Sequence, residues 1–199
     1  MSVAPGLRRC VVPGAAVLAL LAVLLLATPS PAQRVVVPAE LQAELFSKVA
    51  AYDRNFAARA KSKAIILLVV NTHDAKSKVF VASIKSALSR LERVGGLPHQ
   101  ETVVNYESSA KLAELVRSQR AAAVYLGPGL DSELEALKSA LTGVDVLSLS
   151  AIPEHVSKGM VLGFDVVSGK PTILVNLTQA KKQNVSFSAD VLKIMKVLR

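Results

Sequence analysis

The 199-residue chain holds three histidines (His73, His99 and His155), one cysteine (Cys10) and no tryptophan. These few side chains bound the chemistry. Acyl transfer by a serine needs a histidine to take its proton and a carboxylate to orient that histidine. No serine here lies in a G-x-S-x-G elbow. A catalytic thiol could only be Cys10, and a zinc site would rest on the adjacent pair His73-Asp74, too few ligands at the wrong spacing. No G-x-x-x-x-G-K-[ST] or G-x-G-x-x-G follows an apolar run. In Gly127-Pro128-Gly129 the proline removes an amide that a phosphate loop would use. The chain therefore reads as a non-enzyme, with no metal and no cofactor. The most polar cluster is Asn71-Thr72-His73-Asp74, with Ser77 beyond it. Those types could hold a carboxylate or phosphate at the start of a helix, where backbone amides are free. Asp74 acting as a plain helix cap explains the same residues without a ligand.

The elements that would position these residues alternate. Pro38–Ala60 carries Leu41, Leu45, Val49, Tyr52 and Phe56 at helical spacing. Lys63–Val70 is an apolar run of strand length, as expected for a strand buried on both faces. Ala75–Val94 reads as a helix with Val79, Phe80, Ile84, Leu88 and Leu91 inward, stopped by Gly95-Gly96. Glu101–Tyr106 is a short strand. Ser108 caps a helix through Arg117 with Leu112, Leu115 and Val116 inward. Ala121–Leu126 is a strand, and Asp131 or Ser132 caps a helix carrying Leu134, Leu137 and Leu141. Val144–Ser148 is a fourth strand. Short loops between alternating elements imply a parallel sheet flanked by helices. Met160–Val167 and Thr172–Leu177, joined by four residues, permit only an antiparallel hairpin. Ser188–Arg199 reads as a final helix with Val191, Leu192, Met195 and Leu198 inward. The fold class is α/β: a single three-layer domain with a mostly parallel sheet, a C-terminal antiparallel hairpin and a final helix. Ligands of such sheets sit beyond the carboxyl ends of the strands, which is where Asn71–Ser77 falls.

Composition is uneven along the chain. Arg8 and Arg9 precede Ala15–Ala27, thirteen residues without a charge, and Ser30-Pro31-Ala32 follows. A basic start, a short apolar centre and a small-residue exit make a cleaved secretory signal peptide over 1–32. The run falls short of the roughly 20 residues that span a bilayer. The mature domain, 33–199, would lack cysteine and carry 22 basic against 15 acidic residues, a charge of +7 where the whole chain has +9. Eight of the basic residues lie between Arg59 and Arg93, and six between Lys170 and Arg199. Such a surface suits anionic headgroups or an acidic partner. Export and the lack of aromatics beside the basic runs argue against nucleic acid. An open sheet edge invites a homodimer.

The C-terminal third resembles a known family. Gly159-Met160-Val161-Leu162-Gly163-Phe164, then Gly169-Lys170, Leu174-Val175-Asn176-Leu177, Ala180, and Ser188 before Val191-Leu192 is similar to the YfiR-like family of periplasmic regulatory proteins. There a glycine-led strand, a turn, a strand ending in Asn and a helix opening on Ser follow one another. Ile173-Leu174 stands where the family has an aromatic residue and Glu, and the family's disulfide cysteines are absent. The resemblance implies a periplasmic regulator or sensor that binds the periplasmic part of an inner-membrane signalling protein, a diguanylate cyclase or a sensor kinase. Gly159, Gly163, Asn176, Ser188 and Leu192 are its motif residues. The competing expectation is a small solute-binding protein holding an anion at Asn71–Ser77. A third is an exported hydrolase using His73 and Ser77.

Overall fold

A computed structural model describes residues 36–198; the signal-peptide segment expected over 1–32 lies outside them. The elements are α1 (Ala39–Ala50), α2 (Phe56–Ala60), β1 (Ala64–Val70), α3 (Ala75–Ser89), β2 (His99–Asn105), α4 (Ser109–Gln119) and β3 (Ala123–Leu126). A 3-10 turn (Asp131–Glu133) leads into α5 (Leu134–Leu141), β4 (Leu147–Ser150), α6 (Glu154–Ser157), β5 (Leu162–Val167) and β6 (Lys170–Asn176). Two short helices, α7 (Leu177–Lys182) and α8 (Ala189–Leu192), precede β7 (Met195–Leu198). One sheet runs β2-β1-β3-β4-β5-β6-β7, parallel throughout except for the β5–β6 hairpin. The α/β class, the parallel core and the antiparallel hairpin expected from sequence are all present.

Alternation along β1 builds the three layers. Ile66, Leu68 and Val70 face Phe46, Val49, Phe56, Ile84 and Leu88 of α1, α2 and α3. Leu67 and Val69 face Leu112 and Val116 of α4 and Leu134, Leu137 and Leu141 of α5. Every β1 residue except Ile65 is buried, because a parallel strand with helices on both sides has no wet face. The hairpin turns on Ser168 and Gly169, both at positive φ, the two-residue geometry that matches strand twist.

Four sequence expectations are corrected. The helix expected over Pro38–Ala60 is broken at 51–55, where Asp53 bridges to Phe187 instead of continuing the helix. In α3 the inward stripe is Val81, Ile84 and Leu88; Val79, expected inward, is 68% exposed. Val79 and Val81 lie two residues apart, about 200° around the helix, so only one can face the core, and packing against α1 selects Val81. Val144–Ser148 is displaced: the strand is Leu147–Ser150, with Val144 and Val146 closing the core below it. The helix expected over Ser188–Arg199 is only Ala189–Leu192; Met195–Leu198 instead pairs in parallel with β6. β-branched Val197 and the unpaired outer edge of β6 favour the strand.

Candidate functional site

The carboxyl ends of β1, β3 and β4 lie side by side, so the loops that follow them form one surface. Asn71, Thr72, His73, Asp74 and Ser77 belong to the first loop and to the opening turn of α3. Their polar atoms are largely turned on one another. Ser77 Oγ accepts from Asn71 N at 2.9 Å, and Asn71 Oδ1 accepts from His73 N at 3.0 Å. Asn71 Nδ2 donates to the Gly129 carbonyl at 2.6 Å, tying this loop to the one after β3. Asp74 caps α3, its Oδ1 accepting from Lys76 N at 2.7 Å and Ser77 N at 3.4 Å. The Gly127-Pro128-Gly129 loop packs into the same place: a Cβ on Gly127 would stand 2.7 Å from Ser77 Oγ, and one on Gly129, at φ +80°, would overlap Asp74. Thr72 is half-buried at the rim, and His73 is exposed there.

The structure brings together a second group that local motifs do not reveal. Ser150 Oγ lies 2.8 Å from His155 Nδ1, and His155 Nε2 lies 3.1 Å from Asp131 Oδ1. A carboxylate only accepts, so Nε2 carries the proton and Ser150 donates to Nδ1. Ser150 Oγ also accepts from Ile152 N at 3.0 Å, which fixes the turn into α6. These are the residue types of an acyl-transfer triad, but the burial runs the opposite way. Ser150 and His155 are fully buried, while the Asp131 side chain is 62% exposed. Burial pushes the His155 pKa down, partly opposed by the hydrogen bond that Nε2 donates to Asp131. The group thus locks β4, α6 and the 3-10 turn together with a neutral imidazole. Ser150 ends β4 and Asp131 follows the adjacent β3, so strand order, not sequence spacing, was the signal that could have found it. The other histidine, His99, faces Glu101 at 2.5 Å and the Leu91 carbonyl at 2.9 Å, away from both groups.

The motif residues of the C-terminal third are spread over the hairpin. Gly163 lies on β5 beneath α6, where a Cβ would approach Val156 Cγ2 to 2.5 Å. Gly159 sits at φ +121°, with the Lys138 side chain filling the space a Cβ would need. Asn176 joins β6 to α7: its Oδ1 accepts from Gln179 N at 2.9 Å, and its Nδ2 donates to the Val156 carbonyl at 2.9 Å. Ser188 N donates to the Tyr52 carbonyl at 3.1 Å, and its Oγ is buried without a hydrogen-bond partner among the described residues. Leu192, half-buried, packs against the larger core.

Two further features lie elsewhere. In the first, Arg59 Nη1 donates to Asp53 Oδ2 at 2.9 Å, Nε to Asp145 Oδ1 at 2.6 Å, and Nη2 to the Asn184 carbonyl at 3.0 Å. Asp53 Oδ1 accepts from Asn55 N and Ser186 N, so the break between α1 and α2 is tied to the stretch before α8. The second is an apolar groove of about 500 Å³ lined by Val36, Val37, Ala75, Val79 and Phe80. Beneath it, Tyr125 donates to Gln42 Oε1 and packs against Phe46 and Phe80. Among the described residues no helix is long and apolar enough to cross a membrane, and no cluster of three or more His, Cys, Asp or Glu could hold a metal.

Comparison with known proteins agrees with the fold. The chain superimposes on a conserved domain protein from Vibrio cholerae O1 biovar El Tor with a TM-score of 0.57 at 14% identity, over 81% of this chain and 60% of that one. It superimposes equally on an ABC domain from Streptococcus pneumoniae in complex with L-Trp, with a TM-score of 0.57, 14% identity and the same coverage of 81% and 60%. The chain thus spans about three fifths of the length of those structures, and at such identity the likeness is one of fold. No curated protein matches. A family model described as YfiR/HmsC-like matches residues 39–196. That match runs from the first residue of α1 to the second residue of β7, across the whole sheet, and on that extent the chain belongs to the YfiR/HmsC-like family.

Proposed function

We propose that the chain is an exported, non-enzymatic regulator that works in the periplasm by binding the periplasmic part of an inner-membrane signalling protein, a diguanylate cyclase or a sensor kinase. The family match over 39–196 carries this reading, since the family suggests a periplasmic regulator. The basic start, short apolar centre and small-residue exit of residues 1–32 support export. The inverted burial of Ser150 and His155 supports a regulator over a hydrolase, because a substrate carbonyl would meet Asp131 before the hydroxyl. The docking surface in this reading is the groove beside α1 and α3, where Val36 and Val79 stand 58% and 68% exposed. Clustered exposed apolar side chains of this kind mark interaction sites.

The test is cross-linking in whole cells followed by capture from envelope extract, with cyclic di-GMP measured in a strain lacking the gene. The expected result is capture of one membrane signalling protein, lost on Val79→Asp without loss of thermal stability, together with a change in that protein's output. Retention of the chain in the cytoplasm would count against the reading. So would capture unaffected by Val79→Asp, with signalling unchanged in the deletion.

A further inference from the structure

A pocket of about 310 Å³ opens at the opposite end of the sheet, at the amino ends of β1, β3 and β4. Its rim is basic: Arg59, Lys61, Arg117 and Arg120 line it with one acid, Asp145, over an apolar floor of Val116 and Val144. Arg59 is occupied by Asp53 and Asp145. The side chains of Lys61, Arg117 and Arg120 make no hydrogen bond or ion pair with any described residue, and all three are exposed.

Backbone conformation separates this pocket from an ordinary basic surface. Four non-glycine residues among those described have positive φ: Lys61, Arg120, Ser168 and Asn184. Ser168 is in the hairpin turn, and Asn is the non-glycine residue that tolerates this region best. The other two are long cations, and both line this pocket. Arg120 (φ 51°, ψ 49°) ends α4 at the position where glycine is preferred. Lys61 (φ 56°, ψ −112°) follows α2 in a conformation that a side chain rarely adopts. The carboxyl end of α4 favours a nearby cation, but it gives no reason to place one on a strained backbone. Strain retained at a pocket rim is the pattern of a binding site.

We propose that this pocket binds a small oxyanion with at least two negative charges, held by Lys61, Arg117 and Arg120 and seated on Val116 and Val144. Guanidinium forks match phosphate and carboxylate oxygens equally well, so the shared chemistry is a multivalent oxyanion. This site is independent of the family's regulatory role and of the groove at α1 and α3.

The test is calorimetric titration of the purified, exported protein with pyrophosphate and with citrate, using acetate as the singly charged control, at low and high salt. Saturable one-to-one binding of either probe, weaker at high salt, is expected; which probe binds more tightly tells a phosphate source from a carboxylate source. Arg117→Ala and Arg120→Ala should each weaken it roughly tenfold, the scale of one charged hydrogen bond. Lys85→Ala, on the exposed face of α3, should leave it unchanged. Lys61→Gly should raise the melting temperature while weakening binding, because glycine relieves the backbone and removes the cation. Absence of saturable binding by both probes would overturn the proposal. Equal weakening by Lys85→Ala would also overturn it, as would a Lys61→Gly protein that binds as tightly as the parent.

Discussion

Arg59→Met isolates the buried charge pair between Asp53 and Arg59. Methionine keeps most of the stem volume and removes three hydrogen bonds: to Asp53, to Asp145 and to the Asn184 carbonyl. The consequences differ by site. The Asp145 side chain is 50% exposed and regains water, so its loss costs little. The Asn184 carbonyl keeps the Asn55 side-chain amide at 2.8 Å. The Asp53 side chain, fully buried, keeps two backbone donors, Asn55 N and Ser186 N, but loses its counter-charge. Breaking a buried pair from one side costs about 3–5 kcal/mol. The two remaining donors place this case at the low end, about 3 kcal/mol. For a domain of this size that is a fall of roughly 10 °C in melting temperature. Urea unfolding with an unchanged m-value should give this loss. Asp53→Asn alone should also destabilise, and the double variant should lose about 2 kcal/mol less than the two single losses together, because no unpaired charge remains. An Arg59→Met protein within about 1 kcal/mol of the parent, or strictly additive losses, would refute this account of the hub.

Three other features are open to substitution. Gly163→Ala should cost about 1–3 kcal/mol by driving a methyl into Val156, and Val156→Ala in the same chain should recover part of it in thermal melts. His155 is buried with its pKa lowered, so its contribution to stability is full above the ordinary histidine value near pH 6.5 and is lost as the pH falls through the lower folded-state value. His155→Gln should flatten that acid-side slope in a stability–pH series, and an unchanged slope would show that another group titrates there. Gln183→Met should stabilise by about 1 kcal/mol in urea unfolding, because the buried Gln183 amide has no partner among the described residues.

The sequence carried the fold where periodicity and burial coincide. β1 is legible because a strand covered on both faces must be continuously apolar, and the hairpin because four residues cannot cross a sheet. It failed where tertiary partners override local preference. Residues 51–55 read as helix because Val49, Tyr52 and Phe56 keep helical spacing. Only Ser186 and Phe187, far along the chain, explain why Asp53 leaves that path. Asn71, Asp74 and Ser77 were visible as a polar loop, but not that they bond to one another and, through Asn71, to the loop after β3. Ser150, His155 and Asp131 meet only because β3 and β4 are neighbours, and the basic pocket only because the segments leading into β1, β3 and β4 share one end of the sheet.

The strand at the end of the chain has a practical consequence for solubility. β6 offers Ile173, Leu174 and Val175 in succession, and β7 pairs with this apolar part, Ile173–Asn176; without β7 its outer backbone would face water. An exposed apolar edge of this kind pairs readily with copies of itself. β7 replaces it with an edge of four residues that carries Lys196 and lies just after Lys193, and a short, lysine-bearing edge is a poor template for aggregation. Chains cut after Leu192 should therefore precipitate rather than yield a smaller folded domain, and the last residues act as a guard strand for the hairpin.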